Sequence, residues 1–195
     1  MSKILKPEIE ARFIVSIRPE EKEPKELRHL TIDQRYLRGK GRIRMVQTNI
    51  AGQDTVTTSV VLNRKWKMAK TFGGNWEMEL RLPNTLFIAQ FCFWFLTKLF
   101  SDPTCYPIYK VRTVYEWIDG MELEWDVFAN QYALPHGPFG MLEIEVVEDF
   151  DLATIQSKLP RWFEVAEDVT GQAYWSNASI SRRLHKIYDR RGWGL

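Results

Sequence analysis

Glu8-Ile9-Glu10-Ala11-Arg12-Phe13-Ile14-Val15-Ser16-Ile17 is the stretch on which the reading of the fold turns. Glu8, Glu10 and Arg12 alternate with Ile9, Ala11 and Phe13. Successive side chains of a strand point to opposite faces, so a period of two predicts a β-strand with one apolar face and one charged face. The apolar face has to be buried. The charged face carries both signs.

The same alternation recurs outward from this stretch. Strands are predicted at 30–37, 42–46, 56–67, 76–81, 109–118, 123–128 and 141–147, separated by turn signals such as Gly39-Lys40-Gly41, 49–54, Gly73-Gly74-Asn75 and Asp119-Gly120. The Glu-, Lys- and Pro-rich stretch 18–27 reads as a solvated loop. A helix is predicted over 85–100, ended by Ser101-Asp102-Pro103. Its apolar run, interrupted by Gln90, Thr97 and Lys98, is too short to cross a bilayer and reads as a buried helix. A short helix at 152–159, a break at Pro160-Arg161-Trp162-Phe163 and a basic helix at 176–190 complete the chain. The fold class is α+β, mainly β.

The 195 residues suit a single domain over 1–195, and the 45% of apolar residues are enough for a substantial core. The 27 basic and 25 acidic residues nearly cancel, so no overall field points to a specific nucleic acid or a membrane surface. Cys92 and Cys105 lack a CxxC spacing and read as reduced thiols. The segment Met1 to Pro7 has no signal-peptide core, so a cytoplasmic location is expected. His29, His136 and His185 are scattered without metal spacing.

Seven acidic pairs are spaced two apart, among them Glu8/Glu10, Glu77/Glu79, Glu124/Asp126 and Glu143/Glu145, where chance placement gives about three. Basic pairs, Arg42/Arg44 and Lys110/Arg112, stand on strands among them, with Arg12 and Lys65 as single additions. Carboxylate oxygens suit hard cations, and guanidinium and ammonium groups suit phosphate oxygens, so the two sets together suit a metal-bridged phosphate chain. A plain sheet with one solvated polar face is the alternative reading of the pattern.

The opening Glu8-Ile9-Glu10-Ala11-Arg12 resembles the Glu-x-Glu-x-Lys strand of the CYTH superfamily, the triphosphate tunnel metalloenzymes. Gln34-Arg35-Tyr36-Leu37, Arg42-Ile43-Arg44, Glu77-Met78-Glu79, Lys110-Val111-Arg112, Glu124-Trp125-Asp126, Leu142-Glu143-Ile144-Glu145 and Asp168-Val169-Thr170-Gly171, with Tyr174 and Asn177 beyond, follow in the family's order. The resemblance spans residues 8 to about 180 and implies a closed eight-stranded antiparallel β-barrel, a tunnel, with a few flanking helices.

It implies a small-molecule triphosphate as partner and Mg²⁺ or Mn²⁺ as cofactor, with Glu8, Glu10, Asp126, Glu143 and Glu145 on metal or positioning water. Arg42, Arg44, Lys65, Lys110 and Arg112 would grip phosphate. Glu77, Glu79 and Glu124 would line the wall, and Arg12, Glu10 and Glu145 would act in catalysis. The activity expected is metal-dependent hydrolysis of a triphosphate, with class IV adenylate cyclase, making cyclic AMP and pyrophosphate from ATP, and a non-catalytic binding protein as alternatives. A homodimer is compatible with it. Three departures stand out. Arg12 replaces the usual Lys and stays protonated. On the fourth strand either Arg64 or Lys65 can serve, face parity favouring Lys65. Asp168 replaces the usual Glu, and Gln172-Ala173 lacks a basic residue before Tyr174.

Overall fold

The computed structural model describes residues 4–39, 41–67, 75–82, 86–130, 132–134, 139–146 and 151–191. The turn residues Gly73 and Gly74, the strand end at Pro83-Asn84, and His136 lie outside them. For Glu8, Lys65, Glu77 and Glu79 the backbone is described and the side chains are not.

Nine antiparallel strands form one sheet: β1 (Ile4–Ile17), β2 (Glu26–Leu37), β3 (Gly41–Ile50), β4 (Val56–Lys67), β5 (Asn75–Leu82), β6 (Ile108–Glu116), β7 (Glu122–Phe128), β8 (Gly140–Val146) and β9 (Phe163–Asp168). Their order is β5-β4-β3-β2-β6-β7-β8-β1-β9, and β5 makes a further pairing with β1. Among the described residues the expected eight strands are therefore nine. The 14-residue β1 is long enough to hold two partners on one edge, β5 along Ile4 to Glu8 and β9 along Phe13 to Ile17, while β8 occupies the other. Between those two pairings the Arg12 backbone is satisfied from elsewhere: its N–H donates to Thr170 Oγ1 at 2.9 Å and its carbonyl accepts from the Val169 N–H at 2.9 Å.

The β6–β7 hairpin turns at Asp119-Gly120 as its sequence predicts. Both residues sit at positive φ, 54° and 75°, the geometry of a type I′ turn, which favours Asp or Asn followed by Gly.

Alternation along the strands separates an inner face from an outer one. On the outer side Ala11, Phe13, Val15, Leu142 and Ile144 pack with Tyr115, Leu123, Trp162 and Phe163, and with Ile155 of α2 (Leu152–Lys158). Asp151 caps α2, accepting from the Thr154 N–H at 3.1 Å. Elsewhere on the outer side Ile43 and Val60 are covered by Ala89 and Phe93 of α1 (Leu86–Phe100). At one end of the inner side Ile14, Ile108, Phe128 and Met141 meet Val169, Trp175, and Ile180 and Leu184 of α3 (Asn177–Arg190), which plug it. Gly140 is forced by packing: a Cβ there would lie 2.1 Å from the Trp125 indole nitrogen.

The expectation of a buried α1 is corrected. Ala89, Phe93 and Thr97 face the sheet, whereas Phe87, Phe91, Trp94, Phe95 and Leu99 are exposed. A helix apolar all round is usually enclosed, but here, among the described residues, its main contacts are with β2, β3 and β4 on one side.

Candidate active site

Strands β1 to β8 all contribute side chains to one cavity of about 890 Å³. Each enters through strand parity. On β3 the residues Arg42, Arg44, Val46 and Thr48 recur two apart and face inward; on β6 Lys110, Arg112 and Val114 do so, on β7 Glu122 and Glu124, and on β8 Glu143 and Glu145. Among the described side chains seven cations and five carboxylates line the cavity.

Register brings the charges of different strands together. Arg12 stands opposite Glu143, Glu10 opposite Glu145, Glu124 opposite Glu143, and Arg112 opposite Asp126. Directly opposed side chains in an antiparallel pair have Cβ atoms about 5 Å apart, close enough for strong charge coupling. Two of these four pairs, Glu10/Glu145 and Glu124/Glu143, are like-charged and need cations nearby.

Arg112 supplies much of that compensation. Its Nε donates to Asp126 Oδ1 at 2.6 Å, and Nη2 donates to Asp126 Oδ2 at 2.7 Å and to Glu143 Oε2 at 2.5 Å, while Nη1 bonds Glu124. Lys110 Nζ also donates to Asp126 Oδ2, the oxygen that accepts from Arg112 Nη2. Arg12 pairs with Glu10 and holds Nε 3.2 Å from Glu143 Oε1. At the other wall Arg44 Nε donates to Asn63 Oδ1 at 3.2 Å, and Arg28 Nη1 donates to Glu122 Oε1 at 2.9 Å.

This crowding moves several pKa values. Burial lowers the Lys110 ammonium, with Arg112 adding to the effect and Asp126 opposing it. Burial also works to lower Arg112, but Asp126, Glu124 and Glu143 outweigh it and hold the guanidinium above its ordinary value. The Glu124 carboxyl is raised, first by burial, then by Glu143 and Asp126 against the pull of Arg112. Tyr36, whose hydroxyl accepts from Gln34 Nε2 at 2.8 Å, is likewise raised by burial.

The site residues read from the sequence divide into groups. Glu10, Arg12, Arg42, Arg44, Lys110, Arg112, Glu124, Glu143 and Glu145 meet around the cavity. Asp126 has no exposed surface, with both oxygens engaged by Lys110 and Arg112. Arg64 is exposed, whereas Thr57, Ser59 and Val61 of β4 face the cavity, so alternation gives the inner parity to Lys65. Glu77 and Glu79 occupy positions alternate with the lining residue Arg81, and Glu8 precedes Glu10 by two. Arg28, Arg81, Glu122 and Asn177 also line the cavity and escaped the sequence reading. Arg28 carried no signal of a like-charged pair, because it shares its strand face with the apolar Leu30 and Ile32.

Oxygen donors of the kind a hard divalent cation takes are present: Glu10 and Glu145, opposed on neighbouring strands at the cavity, are carboxylates. Among the described residues no group of three His, Cys, Asp or Glu side chains is assembled as a metal centre.

The segments around Glu10, Arg42, Lys110, Glu124 and Glu143 thus lie in chain order on strands that face one charged interior. Among solved structures similar to this chain is the inorganic triphosphatase NE1496, 20% identical, covering 90% of this chain and 94% of that one with a TM-score of 0.48. The PH1819 protein from Pyrococcus horikoshii OT3 is 14% identical and covers 94% and 99%, with a TM-score of 0.49. A putative adenylyl cyclase from Hippeastrum, HpAC1, described as having a dominant triphosphatase activity, is 14% identical and covers 77% and 84%, with a TM-score of 0.44. No protein-family model and no curated protein matches the sequence.

Among the described residues no helix is long and apolar enough to cross a membrane. Cys92 and Cys105 are free thiols.

Proposed function

We propose that the chain binds a triphosphate inside a closed β-tunnel and hydrolyses it with the help of a divalent metal. The observation that carries this reading is the convergence on one cavity of cations and carboxylates from different strands, seven and five among the described side chains. Guanidinium and ammonium groups that converge on one cavity suit phosphate oxygens, and the carboxylates beside them suit a divalent cation. The β5–β1 pairing supports closure, since it joins the ends of the series β1 to β8.

Arg42, Arg44, Lys110 and Arg112, with Lys65, hold phosphate oxygens. Asp126 acts from beneath, anchoring the Lys110 ammonium and the Arg112 guanidinium at the cavity wall; such preorganised cations stabilise charge developing in a transition state. Arg12, always protonated, binds rather than exchanges a proton. Glu10 and Glu145, with Glu8 and Glu143 as further donors, would hold Mg²⁺ or Mn²⁺. When bound, that ion supplies Lewis-acid neutralisation of the phosphate chain. Glu145 is exposed to the cavity and orients a water for in-line attack at the terminal phosphorus. The P–O bond to the bridging oxygen breaks, giving orthophosphate and a diphosphate, and the water proton passes to solvent.

One observation favours an organic triphosphate as a second reading. The cavity has the volume of a site for a drug-sized ligand, and beyond the basic residues it is lined by Leu30, Val46, Thr48 and Thr57. With ATP, cyclisation would replace hydrolysis if the ribose hydroxyl attacked the α-phosphorus.

The test is incubation of the chain with tripolyphosphate or ATP, with Mg²⁺, Mn²⁺ or EDTA. Metal-dependent orthophosphate release supports hydrolysis. Pyrophosphate with cyclic AMP from ATP replaces that reading by the cyclase. Binding without product leaves a binding protein.

A further inference from the structure

We propose that the outer face of α1 is the surface through which two copies of this chain pair. The helix turns one side to the sheet through Ala89, Phe93 and Thr97. Residues recurring three and four apart lie on one helix face, and on the opposite side these are Phe87, Ile88, Phe91, Trp94, Phe95 and Leu99. Phe87 is 80% exposed and Phe91 61%, and the Phe91 and Phe95 rings stack at 5.8 Å. Isolated exposed apolar residues need no explanation, but a contiguous stripe of this size marks an interaction surface.

Three observations select a second copy as the occupant. Lys98 is the one charged residue of α1, so a face meeting its own copy across a two-fold axis opposes no extended row of like charge. The exposed portions of these side chains amount to roughly 600 Å² at the usual size of aromatic and aliphatic groups. A symmetric pair would then bury about 1,200 Å², the lower bound for a stable association. The edge of the stripe has the composition of an interface rim, polar around an aromatic centre: Arg35 lies 5.4 Å from the Trp94 ring and 5.5 Å from that of Tyr109, donates to the Tyr109 hydroxyl at 2.6 Å and pairs with Asp33.

A lipid surface would also take an apolar helix face. Helices that lie on membranes, however, border that face with several Lys or Arg residues, and α1 offers Lys98 alone while its other side is occupied by the sheet.

Sedimentation velocity on the full chain at micromolar concentration tests the pairing. The expected species has twice the chain mass of 23.1 kDa. Phe91→Glu combined with Phe95→Glu should weaken self-association about 30-fold or more, the loss typical of central interface residues, with an unchanged circular dichroism spectrum. Phe87→Glu, at the most exposed position and away from the core packing, serves if the double variant fails to fold. A monomeric wild type overturns the proposal. So does a dimer of undiminished strength in folded variants. Flotation of the wild type with phosphatidylcholine–phosphatidylserine vesicles, lost in Phe87→Glu, would overturn it in favour of a lipid surface.

Discussion

Arg112 and Asp126 face each other across β6 and β7 and are joined by two hydrogen bonds, of 2.6 and 2.7 Å. Asp126 is fully buried and also takes Lys110, so one carboxylate serves two cations. Removing it leaves both cations without that buried partner. Breaking a buried ion network in this way costs about 3–5 kcal/mol. Asp126→Asn is expected to lower the unfolding free energy by that amount in urea titrations, and a loss below about 1 kcal/mol would show that the pair is solvated.

Glu124 predicts a stability profile in acid. Its folded carboxyl is raised above the ordinary 4.5 chiefly by burial. From pH 4.5 upward the unfolded chain releases this proton before the folded one does, so the contribution of Glu124 falls as pH rises through its folded value. Glu124→Gln should flatten that decline between pH 4.5 and neutrality. Lys110 acts at the alkaline end. Its folded value lies below the ordinary 10.5, so as pH rises through that value toward 10.5 the folded chain sheds its proton first and stability rises with pH. Phosphate affinity falls over the same range as the ammonium charge is lost. Urea midpoints and ligand titrations across pH check both signs.

Gly140 carries a packing prediction independent of function. A Cβ would meet the Trp125 indole at 2.1 Å, and Trp125 stands edge-on to Trp162 at 5.5 Å with little room to retreat. Gly140→Ala should destabilise by about 1–3 kcal/mol, the usual cost of overpacking. A thermal midpoint equal to the wild type's would mean that the Trp125 ring moves freely.

Glu145 and Arg44 separate turnover from binding. Glu145→Gln is expected to abolish metal-stimulated phosphate release while leaving circular dichroism and tripolyphosphate binding in place. Arg44→Ala should raise KM by roughly 10- to 100-fold, corresponding to one lost charge-assisted hydrogen bond. A fully active Glu145→Gln variant would contradict its role at the attacking water.

Much of the cavity wall was legible in single strands. On β1, β3, β6, β7 and β8 the charged residues two apart share one face, and Glu10, Arg44, Arg112, Glu124 and Glu145 on it line the cavity. The rule reverses on β2, where Leu30 and Ile32 face the cavity while Asp33 and Arg35 pair outside it. Alternation marks two faces without saying which is inside. Strand β9 was missed because Glu164, Glu167 and Asp168 leave it little apolar pattern; it exists through its pairing with β1, a long-range contact. The exposure of α1 was hidden for a similar reason. Its composition demands burial, and only the tertiary arrangement reveals that one side has no partner within the chain among the described residues. The family resemblance places Asp126 among the metal ligands, and the structure shows Lys110 and Arg112, across the strand pair, bonded to both its oxygens.

The central claim is that the cation-rich interior is a triphosphate site. Isothermal titration of tripolyphosphate into the wild-type chain and into Arg42→Ala/Arg44→Ala, with and without Mg²⁺, tests it most directly. The account predicts saturable one-to-one binding by the wild type, strengthened by Mg²⁺ and reduced at least tenfold in the double variant. No binding to the wild type, or equal binding by both proteins, would contradict it.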